Sequence, residues 1–322
     1  MKRYLIYIML IFLGGLIAYI IIGDLLSNRL KNPNENPYAY ELNEYEEIDP
    51  SMIKYSEVKR IGLNIPDPKG IASYKDRLGI AYKNHLQVID TTGVELYRKS
   101  INAQVTCISY SHEGVIYLGC QDHVELFDEN GNTIQKWDTI SHNAIITSIA
   151  VNDNSVFVAN AGNQEVLIYN FDGEIINSFD GKSRVESEFG FIIPSPYFDV
   201  AVDPDNELWV ANTGLHYVEN YTKNGALRAY WGESSFTVEG FTGCCNPAHF
   251  TILSNGAFVT SEKGVVRIKV YLPSGELDCV VAAPDKFEKD SEAPDLTSDP
   301  FGRIYALDMT KKMIRVFERN II

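Results

Sequence analysis

Apolar and polar positions alternate along most of the chain in short runs broken by polar turns. The pattern is clearest between Tyr197 and Ala283, where it is written twice: FDVAVDPDNELWVANTGLHYVENYTKNGALRAYWG from Phe198 and HFTILSNGAFVTSEKGVVRIKVYLPSGELDCVVA from His249. Placing Leu208-Trp209-Val210 over Phe258-Val259-Thr260 aligns the copies with a shift of 50 residues. Each copy holds an alternating strand, a polar turn, a second strand, a loop, a third strand ending in Tyr, a turn with Gly and a fourth strand. Alternation of period two marks strands. Four short antiparallel strands repeated every 40 to 50 residues predict a β-propeller blade.

Further copies run from Ser148 to Phe179 and from Cys107 to Trp137, with a weaker one from Ile71 to Lys99. A sixth, Asp295 to Asn320, stops after three strands. An open edge would leave a row of unpaired backbone groups. The strand-like YSEVKRIGLNI, Tyr55 to Ile65, is expected to pair with Arg315-Val316-Phe317 and close a six-bladed ring.

Three features carry a family likeness: the inner strand and turn Val200-Ala201-Val202-Asp203-Pro204-Asp205-Asn206, the second strand Leu208-Trp209-Val210-Ala211-Asn212, and the third strands with their turns, Val218 to Gly225 and Ile268 to Gly275. In these the chain resembles the NHL-repeat six-bladed propellers over about residues 55 to 322. The resemblance implies an all-β propeller. It leaves function open, because this architecture hosts binding modules, lactonases and lyases.

Ahead of the repeats, Tyr4 to Ile22 is free of charge over 19 residues, long enough to cross a hydrocarbon core of about 30 Å. A single uncleaved transmembrane helix at 4–22 is therefore expected. Lys2 and Arg3 precede it and favour a cytoplasmic N-terminus, with the propeller on the extracytoplasmic (periplasmic or extracellular) side. The expected organisation is an anchor over 1–22, an acidic Asn/Pro-containing linker over 23–54 and the propeller over 55–322. The linker reads as a tether that could dock through Tyr38, Tyr40 and Tyr45.

A formal charge of −15 argues against nucleic-acid binding, which needs clustered Lys and Arg. No nucleophile elbow, phosphate loop or dinucleotide fingerprint is present. Chemistry is then to be sought at the mouth of the central channel. Counting from Asp199, the residues opening the inner strands are Cys107, Ser148, His249 and Asp295, with Lys69 in the weak first blade. Counting from Asn212, the second strands end at Tyr82, Cys120, Asn160, Glu262 and Asp308. Asn160, Asn212 and Asp308 are expected to fix the turns that follow them.

Asp199, His249 and Asp295 come from successive blades and are expected to share one space. An imidazole with carboxylates can take a divalent metal, Ca²⁺ or Zn²⁺, or form an acid/base pair. Family resemblance implies zinc held by several His residues in the amidating lyases, whereas this ring has one His.

Gly243-Cys244-Cys245-Asn246-Pro247 lies in the loop entering the fifth blade. Cys244 and Cys245 suggest a vicinal disulfide facing a ligand; buried thiols, or thiolate chemistry with His249, are the alternatives. Cys107 and Cys120 are expected to face each other across a hairpin as a second disulfide, and Cys279 to be apolar filler. Glu262 and Lys263 are expected beside Cys244 and Cys245. Arg267 and Arg315 read as structural, and Trp137, Trp209 and Trp231 as inter-blade packing.

The reading that results is a membrane-tethered binding propeller for a protein partner or small ligand, more a binding module than an enzyme. Its alternatives are a metal-assisted hydrolase or lyase using Asp199, His249 and Asp295, and a redox-linked protein using Cys244-Cys245.

Overall fold

The computed structural model describes residues 2–29, 46–182 and 189–320. Two compact units divide the chain, residues 1–44 and 45–322. Most of the expected linker, including Tyr38, Tyr40 and Tyr45, falls outside the described residues.

In the first unit Lys2–Arg29 forms one α-helix. Its side chains are exposed throughout 9–23, with Ile11 and Phe12 among the most exposed. Among the described residues no helix is long and apolar enough to cross a membrane, which corrects the span expected over 4–22.

The second unit is a propeller of six four-stranded antiparallel sheets. Blades 1 to 5 take their strands in chain order from 68–100, 105–136, 146–179, 200–231 and 249–282. Blade 6 combines three strands from 295–319 with Tyr55–Gly62 as its outer strand. The expected closure is there: Glu57 lies opposite Phe317, Lys59 opposite Val316 and Arg60 opposite Arg315. A register shift between Glu57 and Lys59 interrupts the ladder, and the Glu57 carboxylate accepts from Arg315 Nε at 2.9 Å and Nη2 at 2.8 Å.

Burial explains the strand composition. Middle strands such as Ile116–Cys120 and Val156–Asn160 are buried at every position, because both sheet faces meet neighbouring blades. Outer strands such as Glu95–Ser100 and Ile175–Phe179 are largely exposed. Trp137 stacks on Tyr169 of the next blade at 4.6 Å, and Trp209 and Trp231 meet Phe258 of blade 5 at 4.8 and 5.0 Å, as expected of inter-blade packing. The turn glycine Gly275 has φ +84°, and a Cβ there would collide with Trp231, so both conformation and contact demand glycine.

Candidate functional site

All the residues expected to open the inner strands line one channel cavity of about 210 Å³: Lys69, Cys107, Ser148, Asp199, His249 and Asp295. Strand register corrects one position. Cys107 pairs with Gly119, Ser148 with Ala159, His249 with Ser261, and the matching residue of blade 1 is Gly70, opposite Ala81. The ladder slips between Pro68 and Gly70, moving Lys69 out of the series, and its ammonium pairs with Asp67 at 2.7 Å.

Both aspartates tie one blade to the next. Asp199 Oδ2 accepts from the Phe250 N–H at 2.9 Å, and Asp295 Oδ2 from the Ile71 N–H at 2.7 Å. Their other oxygens accept from the backbone of Val200 and Leu296, each at 2.9 Å. Gly70 is suited to this seam, since a Cβ there would lie 3.2 Å from the Cys107 backbone and 3.4 Å from Asp295 Oδ2.

His249 sits between them. Its Nδ1 is 3.8 Å from Asp199 Oδ2 and 3.5 Å from Asp295 Oδ1, and its side chain is 17% exposed. Its Nε2 is buried with no hydrogen-bond partner among the described residues. The Tyr197 ring meets the imidazole edge-on at 5.5 Å and lies 4.9 Å from Lys263 Nζ, which also reaches Ser195 Oγ at 3.2 Å. Tyr197 is the neighbour that sequence reasoning missed. Nothing in an aromatic residue next to an inner strand distinguishes it from core packing.

Burial sets the protonation of this group. It pushes the Asp199 carboxyl up to about 6, with Asp295 adding to the rise and His249, Ser148 and the Phe250 N–H opposing it. It pushes Asp295 up to about 7 against the hydrogen bonds from Ile71 and Leu296. Burial lowers the His249 pKa, opposed by Asp199 and Glu292. Near neutral pH the site thus presents a neutral imidazole between two carboxyls whose affinity for a proton burial has raised.

Glu262 does not join this group. Its side chain is fully buried, 2.7 Å from Arg267 Nε and 2.8 Å from Lys269 Nζ. Burial works against its ionised form, but Lys269 and Arg267 prevail and hold its pKa below the usual range. Arg267 and Lys269 in turn donate to the carbonyls of 237–240, fastening that loop over blade 5. Arg267 is structural, as expected, and so is Arg315 through Glu57.

The cysteines are all free, which corrects both expected disulfides. Cys244 and Cys245 hold their sulfurs 3.2 Å apart as thiols, Cys244 exposed and Cys245 buried. Cys107 and Cys120 never face each other. A bulge between Val105 and Cys107 sets Cys120 opposite Val105, so the two thiols enter different inter-blade cores. Burial pushes the Cys120 thiol up to about 12 and raises that of Cys107. Cys279 is core filler, as expected.

Of the second-strand ends, Asp308 fixes the following turn by accepting from the Lys311 N–H at 2.9 Å. Asn160 and Asn212 instead hold the segments entering their own blades, accepting from Ile145 at 3.0 Å and Ile192 at 2.9 Å.

No family model matches the chain, and no curated protein matches it. Solved structures do. A streptogramin B lyase is 16% identical with a TM-score of 0.58, covering 83% of this chain and 98% of its own. A protein of unknown function from Bacteroides thetaiotaomicron is 13% identical with a TM-score of 0.61, covering 83% and 72%. A catalytically inactive variant of virginiamycin B lyase from Staphylococcus aureus, with quinupristin, is 15% identical with a TM-score of 0.57, covering 83% and 100%. The likeness is one of fold. It supports the six-bladed propeller and does not establish the NHL-repeat family.

Proposed function

We propose that the propeller binds a small polar ligand at the channel mouth, with His249 as the contact that selects it. One observation carries the reading: the imidazole Nδ1 lies between two carboxyls, 3.5 and 3.8 Å away, while its buried Nε2 lacks a partner among the described residues. A buried polar atom left unpaired costs about 1–3 kcal/mol. A ligand that supplies its hydrogen bond recovers that energy, and Tyr197 and Lys263 border the same space. Calorimetric titration of the protein against a panel of small polar molecules should yield a binder whose heat disappears in His249→Ala. A ligand bound equally well by that variant would sink the reading.

The second reading is metal-assisted hydrolysis or elimination, favoured because Asp199, His249 and Asp295 bring one ligand atom each within 4.8 Å of one another. The donor set argues against Ca²⁺, which takes six to eight oxygens. It fits Zn²⁺ with an open position, where the metal would act as a Lewis acid. Elemental analysis of the protein and of His249→Ala separates the readings: a stoichiometric divalent metal lost in the variant would favour catalysis.

We also infer that the N-terminal helix tethers the propeller to a membrane, with the propeller outside the cytoplasm. The support is the uncharged run Tyr4 to Ile22 and the exposure of its apolar side chains over 9–23. Recovery of the full chain in the soluble fraction would count against it.

A further inference from the structure

We propose that Cys120, His123 and Glu125 form a zinc site in the second blade, separate from the channel mouth. Cys120 ends the blade's second strand and His123 opens its third, and the hairpin pairs them directly. Paired residues send their side chains to the same face of a sheet, and so do residues two apart on one strand, which brings Glu125 to the same spot. The three offer one ligand atom each, all within 4.8 Å of one another. Around a tetrahedral zinc with bonds of about 2.0–2.3 Å, ligand atoms lie roughly 3.3–3.8 Å apart. Closure therefore needs side-chain movement of about an ångström.

The imidazole singles this cluster out. Asp122 Oδ1 lies 2.7 Å from His123 Nδ1, and Glu125 Oε1 lies 3.2 Å from Nε2. A neutral imidazole has a single N–H, so one of its nitrogens must turn a lone pair towards a carboxylate. His123 is 6% exposed and Cys120 fully buried, which limits relief by water. With the proton on Nδ1 and held by Asp122, a cation beside Nε2 removes the conflict. A carboxylate behind a histidine in front of a metal is the arrangement that orients metal-binding imidazoles. Lys136 Nζ, 3.2 Å from Glu125 Oε1 on a half-exposed side chain, supplies part of the missing charge and can swing into solvent. A sulfur, nitrogen and oxygen donor set suits Zn²⁺ and not Ca²⁺ or Mg²⁺, which take oxygen. Binding breaks the Cys120 S–H bond, forms S–Zn and releases the proton to solvent.

The test uses cobalt(II) as the probe on the full chain. One equivalent of Co²⁺ should produce a thiolate-to-cobalt charge-transfer band that Zn²⁺ abolishes. The band should be absent in Cys120→Ser, retained in Cys244→Ser and His249→Ala, and require about ten- to a hundredfold more Co²⁺ in Asp122→Asn. No band in the unaltered protein overturns the proposal. A band lost in Cys244→Ser overturns it equally, by assigning the metal to the fifth-blade loop. Should Cys120→Ser fail to melt cooperatively, the weakened binding of Glu125→Gln decides, and unchanged Co²⁺ affinity there refutes the site.

Discussion

Asp295 and Ile71 stand 224 positions apart in the chain and are joined by a 2.7 Å hydrogen bond from the Ile71 N–H to Asp295 Oδ2. That bond links the inner strand of blade 6 to that of blade 1, and Asp199 repeats the device between blades 4 and 5. The same carboxyls flank the imidazole of His249. Stability and site chemistry are therefore carried by the same side chains.

Removing a seam should be costly. Asp295→Ala leaves the Ile71 N–H without its acceptor beside a narrow cavity, and a loss of about 1–3 kcal/mol is expected. Asp295→Asn keeps one acceptor oxygen and should lose less. Urea denaturation of both variants checks the order, and equal losses would mean that the hydrogen bond contributes little.

The pH dependence follows from the direction in which burial moves these groups. Asp199 and Asp295 rise from an ordinary 3.8 to about 6 and about 7 on folding. Across that window the folded chain binds more protons than the unfolded one, so their contribution to stability declines as pH rises from about 4 to about 7. His249, with a lowered pKa, works in the opposite sense: its contribution is present above its ordinary 6.5 and is lost as pH falls. Asp295→Asn deletes one aspartate's share and leaves the imidazole. A tenfold change in proton affinity between folded and unfolded chain is worth about 1.4 kcal/mol. The stability of the variant relative to the unaltered chain should therefore improve by up to a few kcal/mol between about pH 4 and about pH 8. A constant difference would show that Asp295 titrates normally.

Local pattern and long-range geometry differ in how far the sequence exposes them. The missing fourth strand after Asp295 to Asn320 made the closing role of Tyr55 to Ile65 readable, because an unpaired edge is a deficit visible in any one copy of the repeat. Asp199, His249 and Asp295 could be gathered for the same reason, since register within a repeat fixes position in a ring. What defeated the reading were single-residue slips. A bulge beside Cys107 turns it from Cys120, and a slip beside Lys69 puts Gly70 in its place. Glu262 failed differently: its partners Arg267 and Lys269 lie nearby in sequence, but only the loop 237–240 folding over them closes the network to solvent.

Thiol chemistry provides a direct check on the cysteines. All five should react with a thiol reagent in denaturant without prior reduction, and Cys244 should be the one that reacts rapidly in the folded chain. Exposure makes the difference, because Cys245 raises the Cys244 pKa just as burial raises those of Cys107, Cys120 and Cys279, while only Cys244 is open to reagent. Mass spectrometry showing Cys244 and Cys245 two hydrogens short would contradict this and restore the vicinal disulfide.

The ring's closure can be tested at Glu57. This residue belongs to the one strand that reaches blade 6 from the far end of the propeller, and its carboxylate holds the guanidinium of Arg315, whose side chain is 2% exposed. Burial opposes the Glu57 charge, but Arg60 and Arg315 outweigh it and pull its pKa down to about 2. A carboxylate with a lowered folded pKa contributes stability above its unfolded value, here 4.5, and loses it as pH falls towards 2. Glu57→Gln leaves the buried Arg315 with only the Asp308 carboxylate, 3.9 Å from its Nη1, as a partner charge, and a loss of about 1–3 kcal/mol is expected. The loss should shrink below about pH 4, where the unaltered chain gives up the same interaction. Arg60→Ala, on an exposed side of the same carboxylate, should cost under about 1 kcal/mol. If both substitutions cost alike, the closing strand is held by its backbone ladder and apolar face, and the Arg315 pair is incidental to it.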